Sequence, residues 1–192
     1  MRVSRAQAAE NRQNVIDVAS RLFREHGFDG IGLKDLMEGA GMTQGAFYKQ
    51  FTSKEDLVAE ASARALECAT NRWSDAAAAN PKDPLGAVIA FYLTKEHRKE
   101  KMSGCPIVAL GADAARQSAG VKASFESGIR EHLRVLSRLI SKADSEEKRE
   151  KAMAILSTMV GALTLSRVVN DPRLAQSFLD AAAESVREAA SS

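Results

Sequence analysis

Between residues 43 and 51 the chain carries Thr43, Gln44, Gly45, Tyr48, Lys49 and Gln50 around two phenylalanines, Phe47 and Phe51, spaced four apart. On a helix that spacing puts both rings on one face, which must be buried. Thr43, Gln44, Gly45, Tyr48 and Lys49 are then left outside. Hydroxyl, amide and ammonium groups beside a residue with no side chain suit base edges and phosphates in a DNA major groove. No acid occurs between Glu38 and Glu55, whereas Lys49 and Lys54 lie inside that window. The simpler reading of the same residues is an ordinary helical hairpin with a glycine turn.

The elements that must position this surface are legible on either side. Leu33 to Ala40 reads as one helix, Gly41 supplies a residue that takes positive φ, and Thr43 is placed to cap a second helix running to about Gln50. Upstream, Ser4 to His26 forms a long helix whose stripe is Val15, Ile16, Ala19, Leu22 and Phe23, and Gly27 stops it. Downstream, Ser53 and Asp56 make a capping-box-like start for a helix continuing through Leu57, Ala61, Leu66 and Trp73 to about Ala79. Asn80-Pro81 ends it.

Gly27-Phe28, the run from Gly41 to Phe51, and Ser53-Lys54-Glu55 together resemble the DNA-binding domain of the tetracycline-repressor (TetR) family of bacterial transcription regulators. The likeness covers about the first sixty residues. It implies an all-α protein with a helix-turn-helix domain over residues 1–52 and a helical effector-binding and dimerisation domain over 53–192. By that resemblance Gln44, Gly45 and Tyr48 lie against base edges, and Thr43, Lys49, Gln50 and Lys54 hold phosphates. Lys34 reaches DNA from the start of the preceding helix. Met37 and Gly39 depart from the family, whose members often have alanine there, which leaves the packing angle of that helix open.

Composition agrees with such a protein and excludes several others. The 192 residues include four prolines and few alternating segments, so helices dominate. Net charge is only +2, and residues 1–54 hold eight Lys and Arg against six Asp and Glu. So modest a footprint argues against a sequence-blind nucleoid protein and for a binder that depends on base contacts and dimer geometry. No N-terminal apolar leader or long uncharged apolar span is read, so a cytoplasmic protein without membrane association is expected. Cys68 and Cys105 make no disulfide framework, no Cys/His spacing suggests zinc or another metal, and no cofactor is expected.

Further helices are expected from Pro84 to about Lys101, Pro106 to about Gln117, Val121 to about Lys142, Glu146 to Val169 and Pro172 to about Ala190. Breaks are placed at Ser103-Gly104, Ala119-Gly120, Asp144-Ser145 and Asn170-Asp171-Pro172, with frayed ends at Met1 to Arg5 and Ser191-Ser192. No charge falls between Lys151 and Arg167. A helix so apolar needs partners on two sides. Leu156, Met159, Val160 and Leu163, with Phe178, Ala182 and Val186 of the last helix, are expected to meet the same surface of a second copy in a four-helix homodimer interface, as the resemblance also implies. The competing reading is the central helix of a monomeric bundle.

The resemblance places a ligand cavity among the middle helices, where Trp73, Phe91, Tyr92, Met102, Ile107, Leu110 and Phe125 would suit an apolar or aromatic small-molecule effector. Each also reads as plain core. Cys105 precedes Pro106 at a helix start, near His97, Arg98, Lys99 and Lys101; it reads either as a small buried packing residue or as a redox- or electrophile-sensing thiol in the effector region. The run from Lys95 to Lys101 itself reads as a solvated helix end. His26, His97 and His132 lie in no nucleophile, metal or phosphate-loop motif, so no catalytic residue is named and each is expected at the surface or a helix end. The expected function is a regulator, as a repressor released from a palindromic double-stranded operator by its effector. An enzyme and a helical interaction protein without DNA binding are the alternatives.

Overall fold

The computed structural model describes residues 4–140 and 145–191, and among them every regular element is helical. The expected helix end near Lys142, the break at Asp144 and the outermost terminal residues lie outside the described set. The helices are α1 (Arg5–His26), α2 (Leu33–Gly39), a 3-10 helix (Gln44–Lys49), α3 (Lys54–Ala79), α4 (Pro84–Tyr92), α5 (Lys95–Lys99), α6 (Pro106–Ala114), α7 (Ala119–Leu139), α8 (Ser145–Val168) and α9 (Pro172–Ser191). By compactness the chain forms two units, Met1–Glu67 with Lys101–Ser127, and Cys68–Glu100 with Gly128–Ser192. That division differs from one at residue 52, because α6 and the start of α7 bury their apolar residues in the core of the first unit.

In the first unit, local signals set the helix ends. The Ser4 hydroxyl accepts the Gln7 N–H at 3.1 Å, and Gly27 ends α1 with φ +78°. Gly41, at φ +70°, turns the chain after α2. The Ser53 hydroxyl accepts the Asp56 N–H at 3.0 Å, while the Asp56 carboxylate takes the Thr52 N–H at 3.2 Å. The core joins Val15, Ala19 and Phe23 of α1, Leu36 and Met37 of α2, Phe47 of the 3-10 helix, Leu57 and Ala61 of α3, Leu110 of α6, and Val121 and Phe125 of α7. Met37 is fully buried, and a Cβ built on Gly39 would lie 3.0 Å from Leu22 Cδ1. Glycine at that point therefore lets α2 lie close to α1.

In the second unit α8 and α9 pack along their lengths. Ala152, Ile155, Leu156, Met159, Ala162 and Leu163 of α8, and Ala175, Leu179, Ala182 and Val186 of α9, are buried within the one chain. α8 has the length and composition of a membrane span, and this packing covers one of its apolar faces. α5 is clamped to α8 by two arginines working in opposite directions. Arg98 Nε donates to the Ser166 carbonyl at 2.6 Å, and Arg167 donates to the carbonyls of His97, Arg98 and Glu100 at 3.0, 3.0 and 2.8 Å. The open carbonyls at the end of the short helix are thus satisfied by a cation, which also suits the helix dipole.

Three expectations about this part of the chain are corrected. The helix read from Pro84 to Lys101 breaks after Tyr92, because the Thr94 hydroxyl accepts the His97 N–H at 3.1 Å and starts α5 afresh. Ala119-Gly120 is the first turn of α7 and not a break. His97 and His132 are buried, 4% and 1% exposed, and not surface residues. The break at Thr94 turns His97 inward, where its Nδ1–H donates to the Tyr92 carbonyl at 2.7 Å.

Burial pushes both histidines below their ordinary value of 6.5, against the raising effect of a carbonyl partner on each. Arg167 and Arg72 press His97 further down and Glu100 opposes them, while Glu131 lies near His132. The unfolded chain therefore takes up these protons first as pH falls. Stability is unaffected by the pair above about pH 6.5, falls as pH drops below that value through the lower folded pKa values, and levels off beneath them. Melting curves between about pH 7.5 and pH 5.5 are expected to show this loss, and His132→Phe to reduce its slope. Identical slopes in the two proteins would exclude His132 as a contributor.

Candidate nucleic-acid interface

A six-residue 3-10 helix has poor hydrogen-bond geometry and little stability of its own, so side chains must hold this one in place. Phe47 is fully buried and its ring stacks on Phe51 at 5.3 Å with 23° between planes. Arg12 of α1 locks the far end. Its guanidinium lies 4.6 Å from the Phe51 ring centre, its Nε donates to the Gln50 carbonyl at 3.2 Å, and its two terminal nitrogens grip the Glu60 carboxylate of α3. That hydrogen-bonded carboxylate raises the pKa of Arg12 further, leaving a permanent cation at the junction. Asn14 Nδ2 donates to the Ala40 carbonyl at 2.9 Å and secures the end of α2. The sequence pattern marks neither Arg12 nor Asn14 as part of the site. Arg12 and Glu60 are 48 residues apart, and no local pattern pairs them.

On the outside of this anchored turn lie Thr43, Gln44, Gly45, Tyr48 and Lys49, all exposed. Tyr48 is 70% exposed, unusual for a tyrosine, and meets Phe47 edge to face at 5.2 Å. Lys34 is exposed at the start of α2, 3.7 Å from Glu38. A Cβ built on Gly45 would meet nothing within 4 Å, and its φ is not positive. The fold itself has no need of glycine there.

Other site expectations are modified. Thr43 sits at the start of the helix without a capping hydrogen bond, and the second helix is 3-10 and ends at Lys49. Gln50 turns inward, its Nε2 3.8 Å from Met42 Sδ and its Oε1 buried without a partner, so it is poorly placed for a phosphate. The Lys54 ammonium donates to the carbonyls of Phe28 and Ile31 at 2.7 and 2.8 Å, tying the α1–α2 loop to α3.

The expected effector residues do not gather in one compact unit. Trp73, Phe91 and Tyr92 belong to the second unit; Met102, Cys105, Ile107, Leu110 and Phe125 belong to the first. Leu110 and Phe125 are in the core that anchors the reading turn, and Ile107 packs against it. Cys105 is buried at the start of α6. A surface cavity of about 500 Å³ in the second unit is lined instead by Lys82, Leu85, Ile89, Leu139 and Arg187 among others. Among the described residues no cluster of His, Cys, Asp and Glu has the makings of a metal site.

An acid-free, exposed polar turn held by two buried rings and entered through a glycine turn after α2 has the form of a helix-turn-helix. Residues 15–61 match the model for bacterial regulatory proteins of the tetR family. The match is confined to the N-terminal region, which is similar to the corresponding region of that family. It is 41% identical over 59 residues to the HTH-type transcriptional regulator AcrR of Shigella flexneri, a match spanning 31% of this chain and 27% of that protein. It is 24% identical over 162 residues to the HTH-type transcriptional regulator LmrA of Bacillus subtilis, covering 82% of this chain and 86% of LmrA. The crystal structure of the reduced form of Escherichia coli NemR shares the fold, with TM-score 0.78 and 22% identity over 93% of this chain and 96% of that one.

Two substitutions separate the turn's fold from its surface. Gly45→Ala is expected to leave the melting temperature unchanged or slightly raised, since alanine favours a helix by up to about 1 kcal/mol, while lowering affinity for DNA flanking the gene. Lys49→Ala should weaken binding to all sequences alike and reduce the slope of log K against log salt by about one. Gel shifts across a salt series read both effects. Undiminished DNA affinity in both variants would remove the turn from the interface.

Proposed function

We propose that the protein is a transcriptional repressor that binds a palindromic DNA operator as a homodimer and is released by a small-molecule effector. The observation that carries the reading is the exposed face of Thr43, Gln44, Gly45, Tyr48 and Lys49 on a turn that the interior fixes from behind. Gln44 and Tyr48 supply groups for base edges, Gly45 allows close approach, and Thr43, Lys49 and Lys34 supply phosphate contacts. Lys54 has two of its three donors engaged by carbonyls, which leaves one for a phosphate. A single turn contacts few base pairs, so specificity calls for two, spaced by one turn of DNA or a multiple. The relatives LmrA and NemR are named as a transcriptional regulator and a transcriptional repressor.

Support for the homodimer comes from an apolar stripe rather than from the residues first expected. Leu156, Met159, Leu163, Ala182 and Val186 are buried within the single chain, where α8 and α9 pack on each other. Met153, Leu165 and Val168 of α8 and Leu174 of α9 remain 40%, 45%, 71% and 46% exposed, with Val160 and Phe178 half-buried beside them. This is the surface we assign to the second copy. Val168→Glu with Leu174→Glu should convert a dimer to a folded monomer by light scattering, whereas Met159→Glu should unfold the second unit by burying an unpaired charge. A doubly substituted protein that stays dimeric would move the interface elsewhere.

The effector acts in the helices after α3, and α3 is the covalent route back: it starts at Lys54, beside the reading turn in sequence, and its later turns carry Trp73. Coupling requires different effector affinities for the DNA-competent and released forms. A hundredfold loss of operator affinity corresponds to about 2.7 kcal/mol, and operator must weaken effector binding by the same factor. Gel shifts with DNA flanking the gene test the regulator reading, and a compound screen for release identifies effectors. For any such compound, titrations followed by Trp73 fluorescence should give a hundredfold weaker affinity when operator is present. Equal affinities would exclude coupling through the fold and leave direct competition.

A further inference from the structure

Among the described residues of the second unit, His132 Nε2 is a buried polar atom that no hydrogen-bond donor reaches. His132 Nδ1 lies 2.8 Å from the Gly128 carbonyl oxygen, which can only accept, so the ring proton is on Nδ1. Thr70 Oγ, 3.0 Å away, faces the same nitrogen. Nε2 is therefore an acceptor with a bare lone pair, and it is buried with nothing donating to it. Such an atom destabilises the fold, a cost that an apolar residue of similar shape would avoid.

The surroundings are aromatic. Trp73 meets His132 edge to face at 4.7 Å and Tyr92 in the same manner at 5.3 Å, while Tyr92 meets His97 at 4.7 Å. Phe91 stacks on His97 at 5.8 Å. All these residues belong to the second unit. Burial keeps His132 neutral, so its acceptor persists at ordinary pH. Phe91 is the half-buried member, with the Arg72 guanidinium 4.7 Å from its ring centre; Trp73 and Tyr92 are fully enclosed.

From an orphan acceptor fixed among flat rings, we infer that His132 Nε2 receives the hydrogen bond of a small, neutral aromatic effector bearing an O–H or N–H donor, a phenol in its simplest form, bound against Trp73. This rests on the effector reading given above and adds the ligand class and its recognising atom. A carboxylate or phenolate is disfavoured, since its lone pairs would oppose that of Nε2 in a site with little water. An ether or hydrocarbon of the same shape leaves Nε2 unmatched and should bind less well. The rings must separate to admit an occupant, so the occupied and empty forms differ, as an effector requires.

The test uses full-length protein without DNA and two probes of matched shape, phenol and anisole, followed by Trp73 fluorescence. Phenol is expected to bind saturably and at least tenfold more tightly than anisole, a difference of about 1.4 kcal/mol. His132→Phe should abolish the preference and His132→Gln, which keeps an acceptor, should restore part of it. Independently of any variant, nitrogen-15 spectra of the wild-type protein should show the His132 Nε2 resonance moving with phenol and not with anisole, a readout that a packing role would not give. Equal affinities, no saturable binding of either probe, or an unmoved Nε2 resonance would overturn the inference and leave Nε2 to a fixed water. Because DNA is absent, those failures leave the operator reading standing, and a failed gel shift leaves the phenol result standing.

Discussion

The reading surface depends on the burial of Phe47. Six residues of 3-10 helix cannot hold a defined shape in water, and the polar groups on this turn give it no inward attraction. Phe47 supplies that attraction by filling the core between α1, α2 and α3, and Phe51 stacks behind it. Arg12 then fixes the orientation by spanning α1, the Gln50 carbonyl and Glu60 of α3. Exposure of Tyr48 is the counterpart of this arrangement: one aromatic ring is held inside so that its neighbour is presented outside.

The first unit is larger than a helix-turn-helix because α6 and the first turns of α7 complete its core. Leu110 and Phe125 close the side of the core that α1 to α3 leave open. The Phe28 N–H also meets Asp113 of α6 at 3.4 Å, at the loop where α1 gives way to α2. Lys54 holds the same loop from α3 through the Phe28 and Ile31 carbonyls. Displacement of either α3 or α6 therefore acts on one loop, which leads directly into the reading helices.

The second unit solves a different problem. α5 is too short to stand alone, and it persists because Arg98 and Arg167 exchange hydrogen bonds with backbone carbonyls across α5 and α8. That clamp holds His97 under Tyr92 and so helps build the aromatic interior around Trp73. On α8 and α9 the division of apolar residues is equally specific. One face is consumed by the pair itself, and the residues between those positions form a stripe with no cover in the single chain.

Short-range chemistry made much of this legible in the amino-acid order. Gly27, Gly41, Ser4 and Ser53 mark helix ends through φ and capping preferences that depend on neighbours alone, and the i, i+4 spacing of Phe47 and Phe51 declares which side of the turn is buried. Hence the helix-turn-helix and its exposed face could be read directly, and the family marks could be recognised. The tertiary structure decided what depends on distant partners. It committed Lys54 and Gln50 inward, paired Arg12 with Glu60 across 48 residues, turned His97 and His132 into the interior, and chose which apolar face of α8 would meet α9. Periodicity ranks residues by hydrophobicity and cannot say which of two apolar faces meets the chain itself, because that choice is made by the shape of the opposing helix.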